Sequence, residues 1–279
     1  MSFRKTAIGV GVATGALAWA TSALALPYNY EMGMQPAASP VMERIESFHT
    51  FLLYIIVAVS LFVLALLIWI ILRYNARANP VPSKTHHNSL LEVIWTIVPV
   101  IILVIIAVPS FKLLYYEAEL PKPQPDLTIR VIGKQWYWTY QYPASNLSFD
   151  SNVLSKADAE KAGKVYLLAV DNVVVVPVNK VVAVDVTGAD VIHSWAVPQF
   201  GVKMDAVPGR INRTWFLADR IGTFYGECSE LCGPNHDAMP IEVHVVSDAD
   251  FAKWLADAKK NTKVFSPIAM GETTRLAAQ

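Results

Sequence analysis

Two long apolar runs stand out in the pattern of hydrophobic and polar positions along the chain. The first covers residues 51–72 and the second residues 93–111, and neither contains a charged side chain. A helix needs about 20 apolar residues to cross roughly 30 Å of hydrocarbon, and a pair of buried core helices is a weak alternative at these lengths. The pattern therefore predicts transmembrane helices at residues 48–74 and 90–115, joined by a loop over residues 75–89.

The first 25 residues have the pattern of an export signal. Arg4 and Lys5 precede an apolar run rich in Gly and Ala, and Ala23-Leu-Ala25 follows it. A charged start, a short apolar stretch and an Ala-x-Ala site are typical of a secretory signal peptide. We expect a signal peptide over residues 1–25, cleavage after Ala25 and an extracytoplasmic segment over residues 26–47. An uncleaved membrane anchor is the alternative.

The loop between the two apolar runs is positively charged. It carries Arg77 and Lys84 beside Arg73, and no acidic residue lies between Arg73 and Glu92. Such loops stay cytoplasmic, so both termini are expected outside the cytoplasm, in agreement with the export signal. Glu92 lies at the cytoplasmic mouth of the second run, where a carboxylate is costly to bury. It is either an interfacial carboxylate or a proton-uptake group that serves a partner in the membrane.

After residue 126 the pattern changes to short Val-rich runs separated by polar or Gly/Pro/Asp/Asn breaks. Several short strands at this spacing predict a small antiparallel sandwich or barrel. The predicted strands are 127–132, 165–170, 173–178, 181–186 and 241–246. Apolar positions at helical spacing from Asp248 predict a terminal helix, followed by a weakly ordered tail. The predicted segments are a proline-rich linker over 116–126, the β domain over 127–247, and the helix and tail over 248–279.

Composition and charge exclude several classes of protein. Hydrophobic residues make up 54% of the chain and charged residues 16%, against ~25% charged in average soluble domains, which excludes a disordered chain. The 23 basic and 23 acidic residues cancel, whereas nucleic-acid binding needs a clustered basic surface. The 2 cysteines are too few for a disulfide scaffold. The lipid bilayer is therefore an expected partner, and nucleic acid is not.

The candidate chemistry is concentrated in one loop of the β domain. Cys228 and Cys232 are four residues apart, His236 follows after four more, and Met239 after a further three. Thiolate, imidazole and thioether are soft ligands, which select copper over hard cations. A mononuclear blue-copper site needs one Cys, two His and a weak Met, so the additional thiolate favours two bridged coppers. His193, near a predicted strand end, is the candidate second imidazole.

Two other interpretations of this loop remain open. A Cys228–Cys232 disulfide is compatible with an oxidising compartment, although it leaves His236 and Met239 without a role. Tetrahedral zinc sites with two Cys and two His also exist, although a methionine at this spacing favours copper.

A second distinctive block runs from Gln135 to Tyr142 and contains five aromatic residues. Successive side chains of a strand point to opposite faces, so half of the block is expected in the core. The alternate members would then form an exposed aromatic patch. Such a patch is a candidate surface for docking a redox partner and for taking up electrons.

Together these motifs resemble subunit II of the bacterial aa-type haem–copper cytochrome c oxidases, over roughly residues 48–246. The resemblance rests on the loop 228–239, on His193-Ser-Trp-Ala-Val-Pro198, on Gln135-Trp-Tyr-Trp138, and on the segments 92–99 and 204–210. It implies a two-helix transmembrane hairpin joined to an all-β cupredoxin-like domain, a Greek-key sandwich or barrel. It also implies location in the bacterial inner membrane, with the copper domain and both termini on the periplasmic side.

The resemblance further implies a binuclear copper A centre in this loop. Cys228 and Cys232 would be its bridging thiolates, and His193 and His236 its terminal ligands. Met239 would be a weak ligand of one copper. The backbone carbonyl of Glu230 would bind the other copper, and the Glu230 side chain would help to bind Mg at the interface with subunit I.

For the reaction, the resemblance implies that electrons from cytochrome c enter at Trp136. Haem groups in subunit I, not in this chain, would reduce oxygen to water with proton pumping, and Glu92 would lie at the mouth of a proton path. Tyr137, Asp171 and Asp190 are the expected docking residues, with subunits I and III as further partners. No Cys-x-x-Cys-His motif occurs, so no haem c is attached here. A quinol-oxidase subunit of the same architecture and a membrane-anchored copper carrier are the alternatives.

Two positions depart from the family pattern. Gln141 and Asn146 stand where relatives carry docking carboxylates. Fewer carboxylates predict weaker steering of a basic cytochrome, and hence a shallower salt dependence of the association rate.

Overall fold

The computed structural model describes residues 24–25, 33–121 and 124–261, in which two long helices adjoin a β domain. Most of the predicted signal peptide, and the tail after residue 261, lie outside the described residues. The helices are α1 (Pro40–Arg73), α2 (Ser89–Ala118), α3 (Lys156–Lys161) and α4 (Asp248–Asn261). The strands are β1 (Leu24–Ala25), β2 (Leu127–Lys134), β3 (Tyr137–Tyr142), β4 (Leu147–Ser151), β5 (Val174–Pro177), β6 (Val181–Gly188), β7 (His193–Val197), β8 (Val202–Ala206), β9 (Asn212–Leu217), β10 (Gly222–Cys228) and β11 (Pro240–Val246).

Helix α1 begins at Pro40, well before the residue 48 that hydropathy predicts. Ser39 caps it, because the Ser39 hydroxyl accepts a hydrogen bond from the Met42 N–H at 3.0 Å and donates one to the Phe200 carbonyl at 2.7 Å. Serine is a preferred cap and proline a preferred first helical residue. The first turns of α1 contact the β domain through the buried Val41, so the helix extends beyond its apolar run.

Helix α2 begins at Ser89, where the Asn88 side chain accepts hydrogen bonds from the first backbone N–H groups. Pro99 and Pro109 lie inside this helix, where neighbouring groups must satisfy the freed carbonyls. Within the described part of the chain, α1 and α2 are the helices long and apolar enough to cross a membrane. Their apolar side chains are largely exposed, and this surface requires lipid or other helices around it.

Two mixed sheets form the β domain. One has the strand order β5-β11-β10-β7-β8, with β1 paired to β10, and the other has the order β4-β3-β2-β6-β9. Strands β2 and β6 are parallel, as are β11 and β5, and β1 and β10, so the predicted antiparallel arrangement does not extend to these three pairs. The two sheets share one core, which includes Trp138, Tyr140, Trp195 and Phe216.

Four of the predicted strands are confirmed, in β2, β5, β6 and β11. The prediction for residues 165–170 is wrong, because this segment is a turn with a single bridge between Val170 and Val153. The Val170 N–H donates to the buried Glu242 carboxylate at 3.2 Å. A side chain from β11 thus takes the hydrogen bond that a neighbouring strand would otherwise accept.

The predicted terminal helix is confirmed as α4. Phe251, Trp254, Leu255 and Ala258 pack against the core, and the Trp254 ring centroid lies 5.3 Å from that of Tyr142. The apolar positions at helical spacing therefore form the face that contacts the domain.

A cluster around Tyr116 joins both long helices to the β domain. The Arg44 guanidinium of α1 lies 3.6 Å from the centroid of the Tyr116 ring of α2. Tyr116 in turn lies edge-on to Trp215 of β9, with the centroids 5.6 Å apart. Together with the Ser39 cap, this contact attaches the domain to the helices at two points.

Candidate metal centre

The loop that carries the candidate ligands closes on itself through main-chain hydrogen bonds. Cys228 ends β10 and stands opposite Trp195 of β7. The Cys228 N–H donates to the Met239 carbonyl at 3.1 Å, and the Ser229 N–H donates to the Ser194 carbonyl at 3.0 Å. These bonds join the two ends of the loop and hold it beside the start of β7.

Two thiols and two imidazoles lie next to one another in this loop. The Sγ atoms of Cys228 and Cys232 are 3.9 Å apart and both cysteines are free. Nδ1 of His193 lies 3.9 Å from Cys228 Sγ, and Nδ1 of His236 lies 3.6 Å from Cys232 Sγ. The ligand atoms of His193, Cys228 and Cys232 all lie within 4.8 Å of one another. Each imidazole therefore faces a different thiol.

Glu230 and Met239 border this group of donors. The Glu230 carbonyl oxygen lies 3.4 Å from Cys228 Sγ, whereas the Glu230 side chain is exposed. The Met239 side chain is buried, and the Met239 carbonyl also accepts a hydrogen bond from the Trp138 indole at 3.4 Å. The loop thus presents a backbone oxygen at the thiols and keeps its methionine inside the domain.

The two buried thiols differ in acidity. Burial alone raises the pKa of Cys228, but hydrogen bonds from His193 and from backbone groups lower it to about 6. Burial and the negative charge of Cys228 raise the pKa of Cys232 to about 12. A negative charge on one sulfur therefore disfavours a charge on the other, and a cation bound between the sulfurs would offset this repulsion.

Asp190 binds the second ring nitrogen of His193. Its Oδ1 lies 2.9 Å from His193 Nε2 and accepts a hydrogen bond from the Val191 N–H at 2.7 Å, and its Oδ2 accepts one from the Gln135 N–H at 2.7 Å. Burial would raise the pKa of Asp190, but these bonds lower it. Burial would lower the pKa of His193, but Cys228 and Asp190 raise it. A carboxylate of this kind orients a metal-binding imidazole, a role for Asp190 that its position in the sequence does not predict.

The exposed aromatic patch is smaller than predicted. Trp138, Tyr140 and Tyr142 lie in the core, and Thr139 on the other face of β3 is also buried. Trp136 and Tyr137 keep part of their surface exposed. The second face of β3 is thus covered as well, which a strict alternation of core and solvent does not anticipate.

The two positions that depart from the family pattern differ in exposure. Gln141 is 4% exposed, and its place in docking stays a prediction. Asn146 is exposed, in a turn after β3. Asp171 is exposed too, and accepts hydrogen bonds from the N–H and the side-chain amide of Asn152 at 2.7 and 3.1 Å.

Glu92 lies far from this loop. It is in the first turn of α2, whereas Tyr116, near the other end of that helix, contacts the β domain. At about 1.5 Å per residue the two are roughly 36 Å apart. Any role of Glu92 therefore belongs to the opposite end of the helical hairpin.

The chain resembles known proteins over most of its length. A family described as cytochrome c oxidase subunit II, periplasmic domain, matches residues 127–246, and the corresponding transmembrane domain family matches residues 27–113. A probable cytochrome c oxidase subunit 2 of Rickettsia bellii is 51% identical over 253 residues, which cover 90% of this chain and 91% of the relative. This chain belongs to the cytochrome c oxidase subunit II family.

Two further proteins are similar to this chain. The cytochrome c oxidase subunit 2 of Cereibacter sphaeroides is 44% identical over 286 residues, covering 92% of this chain and 94% of the relative. The crystal structure of the periplasmic domain of cytochrome oxidase subunit II of Bradyrhizobium japonicum is 55% identical. The match covers 50% of this chain and 99% of the crystallised domain, with a TM-score of 0.47.

As a subunit II, the chain is a membrane-anchored component of a haem–copper cytochrome c oxidase. The predicted fold, a two-helix transmembrane hairpin with a cupredoxin-like β domain, is confirmed. In this family the β domain is the copper A domain, and the cluster of His193, Cys228 and Cys232 is compatible with that metal.

Gln135 and Gly233 also contribute to the site, although no sequence pattern predicts a role for either. The Gln135 side-chain amide donates to the Cys232 carbonyl at 2.8 Å. Gly233 lies against the Trp136 ring. Each is the sequence neighbour of a predicted site residue, since Gln135 precedes Trp136 and Gly233 follows Cys232. Their contacts with other parts of the site cannot be read from that position.

Proposed function

We propose that this chain accepts single electrons from cytochrome c at a binuclear copper A centre and passes them to a haem of subunit I. There oxygen is reduced to water and protons are pumped. The observation that carries the proposal is the arrangement of the donors. Two thiols lie 3.9 Å apart, and each faces a different imidazole.

The donors fit two copper ions better than one zinc ion. A tetrahedral zinc site is complete with four ligands, whereas the buried Met239 and the Glu230 carbonyl adjoin the two thiols and two imidazoles here. Thiolates that bridge two metals can accommodate this arrangement. Met239 and the Glu230 carbonyl supply the remaining weak ligands, and the soft donors favour copper. The free thiols argue against a structural disulfide as the function of the loop.

The chain contributes a scaffold that holds the donors in place before metal binding. Main-chain bonds close the loop at Cys228 and Ser229, and Asp190 orients the His193 ring. The thiols and His193 are buried, which excludes bulk water from the site. When bound, the copper pair supplies a one-electron carrier that changes its geometry little on reduction.

The remaining roles follow the family resemblance and agree with the positions of the side chains. Trp136, half-exposed beside the loop, is proposed as the site of electron uptake. Tyr137 and Asp171 keep exposed surface for docking cytochrome c. The exposed Glu230 carboxylate is available to bind Mg at the subunit I interface. Glu92 is proposed as the group at the mouth of a proton path.

The proposed arrangement in the membrane has the copper domain and both termini on the periplasmic side of a bacterial inner membrane. The positive loop between α1 and α2 supports this orientation, as does the export signal expected over residues 1–25. Subunits I and III are the proposed neighbours of the exposed apolar faces of α1 and α2.

The decisive experiment is an optical and paramagnetic-resonance study of the purified oxidase that contains this chain. A signal from one unpaired electron shared by two coppers is expected in the wild type. Cys232→Ser should abolish it, whereas Met239→Leu should keep both coppers and shift the redox potential. A wild-type chain that binds no copper, or a single-copper signal, would contradict the proposed centre.

A further inference from the structure

We propose that Gln135 and Gly233 are positioning residues, which hold the Trp136 indole against the copper loop and so set the rate of electron uptake. The inference rests on the proposed function and deepens it. It assigns the geometry of the uptake site to two side-chain positions that bind no metal.

Gln135 joins three parts of the site. Its side-chain amide donates to the Cys232 carbonyl at 2.8 Å. Its backbone N–H donates to Oδ2 of Asp190 at 2.7 Å, and Oδ1 of the same carboxylate lies 2.9 Å from His193 Nε2. Gln135 is therefore connected to one proposed ligand through the main chain and to another through Asp190. Because Trp136 is the next residue, its backbone is held by the same contacts.

Gly233 provides the space in which the Trp136 ring lies. A Cβ atom at this position would be 3.2 Å from both Cζ2 and Nε1 of Trp136, and 3.3 Å from the Gln135 amide nitrogen. That separation is tighter than ordinary van der Waals contact. Gly233 also has a φ of +125°, which residues with a side chain rarely adopt. Glycine thus permits both the shape of the loop and the close approach of the indole.

The Trp136 ring depends on these contacts because its own polar atom does not fix it. Trp136 Nε1 is buried and has no hydrogen-bond partner within the part of the chain that the structure describes. The neighbouring core indoles differ, since Trp138 donates to the Met239 carbonyl and Trp195 to the Tyr140 hydroxyl. Packing against Gly233 and the hydrogen bonds of the preceding residue, Gln135, therefore determine where the Trp136 ring lies.

The position of the Trp136 ring should affect the rate of electron uptake rather than the affinity for copper. Electron transfer falls steeply with the separation of donor and acceptor, so a small shift of the indole slows uptake. Residues that support a functional group from behind typically change its activity by about 10- to 100-fold when altered. At saturating copper the two-copper signal should persist in variants of both residues, because neither supplies a ligand.

The test uses Gln135→Glu in the assembled oxidase. The change keeps the side-chain length but replaces the amide donor by a carboxylate, which repels the Cys232 carbonyl. A simple docking role predicts tighter binding of a basic cytochrome, because the variant adds a negative charge. A positioning role predicts that first-order electron uptake from bound cytochrome c, compared at equal driving force from a redox titration of each variant, slows about 10-fold while the two-copper signal is retained. Gln124→Glu adds the same charge at an exposed linker position and should leave this rate unchanged.

Gly233→Ala is the second variant and should slow first-order uptake in the same way. Its matched control is Gly163→Ala. Gly163 also has a left-handed backbone, with φ +64°, but nothing lies near its Cβ position. A further readout is hydrogen exchange of the Trp136 indole N–H in the full chain before metal is added, with Trp136→Phe to assign the signal. Exchange should accelerate in Gln135→Glu and remain slow in both controls.

Unchanged first-order rates and unchanged indole exchange in Gln135→Glu would overturn the proposal, and so would loss of copper in both variants. A different pattern would count against the proposed function instead. If Trp136→Phe takes up electrons at the wild-type rate, Trp136 is not the uptake site. The exchange measurement would then still report whether Gln135 and Gly233 hold the ring.

Discussion

The carboxylate of Asp190 lies 2.9 Å from Nε2 of His193, while Nδ1 of the same ring faces the Cys228 thiol. The imidazole is thus held from one side by a fixed negative charge and presents its other nitrogen to the metal loop. Asp190, expected from the sequence to meet cytochrome c, is in this way also part of the support of the centre.

Replacing Asp190 by Asn should therefore affect the metal as well as docking. Loss of the negative charge should lower copper affinity by about 10-fold and raise the redox potential, because the oxidised centre is more positive than the reduced one. A copper-competition titration and a redox titration measure the two effects. Asp171→Asn is the control, since Asp171 contacts Asn152 and not a proposed ligand. Equal effects of both substitutions on the potential would contradict this role.

Glu242 should stabilise the β domain in a pH-dependent manner. Its side chain is 0% exposed and lies 2.8 Å from both Lys164 Nζ and His244 Nε2. Burial would raise the pKa of Glu242, but hydrogen bonds from His244, Lys164 and the Val170 N–H lower it below its ordinary value. A lowered folded-state pKa means that the contribution is present above the unfolded pKa, near 4.5. It is lost as the pH falls from there through the folded-state pKa.

Glu242→Gln should accordingly lower the free energy of unfolding by about 2 kcal/mol at pH 7. The difference between variant and wild type should shrink at pH values below 4.5. Denaturant unfolding of the detergent-solubilised chain at the two pH values measures this. Glu160→Gln is the matched control, because Glu160 pairs with Lys156 at 4.0 Å on the exposed surface and such pairs contribute little. An equal loss in both variants would refute the special role of Glu242.

Arg44 should hold the start of α1 against the β domain. Its guanidinium lies 3.6 Å from the Tyr116 ring centroid, and such a contact contributes about 1 kcal/mol. Arg44→Met keeps much of the side-chain volume and removes the charge. We expect faster hydrogen exchange of backbone amides near Tyr116 and at the start of α1. Arg73→Met, at the other end of the same helix, should leave these amides unchanged.

Glu92→Gln should slow proton uptake during enzyme turnover and leave the two-copper signal as in the wild type. The copper signal should not change because Glu92 lies at the end of α2 remote from the β domain. Time-resolved pH-indicator measurements, with the resonance spectrum taken in parallel, test both parts. Glu46→Gln, near the other end of the hairpin on α1, is the control. Proton uptake at the wild-type rate would leave Glu92 an interfacial carboxylate.

Much of the architecture could be predicted because it follows from local patterns. The two apolar runs require a membrane wherever they stand, and the spacing of Cys228, Cys232, His236 and Met239 predicts a loop of soft metal ligands. Likewise, the apolar face of α4 is visible as a helical period. In each of these cases the relevant residues are close in sequence.

The features that could not be predicted depend on contacts between distant residues. Helix α1 starts early because Ser39 meets the Phe200 carbonyl. Residues 165–170 fail to form a strand where the Val170 N–H binds Glu242. Gln141 is buried because both faces of its strand are covered. The periodicity of apolar positions does not show which distant residues will contact one another.

The Ser39–Phe200 bond has a consequence for biosynthesis. Its two residues are 161 positions apart, so a ribosome releases the capping residue long before its carbonyl partner exists. The bond from the Ser39 hydroxyl to the Phe200 carbonyl can therefore form only after α2 and most of the strands have been made. Its formation during synthesis would mark the moment at which the β domain docks onto the start of α1, whereas the local cap on the Met42 N–H can form earlier.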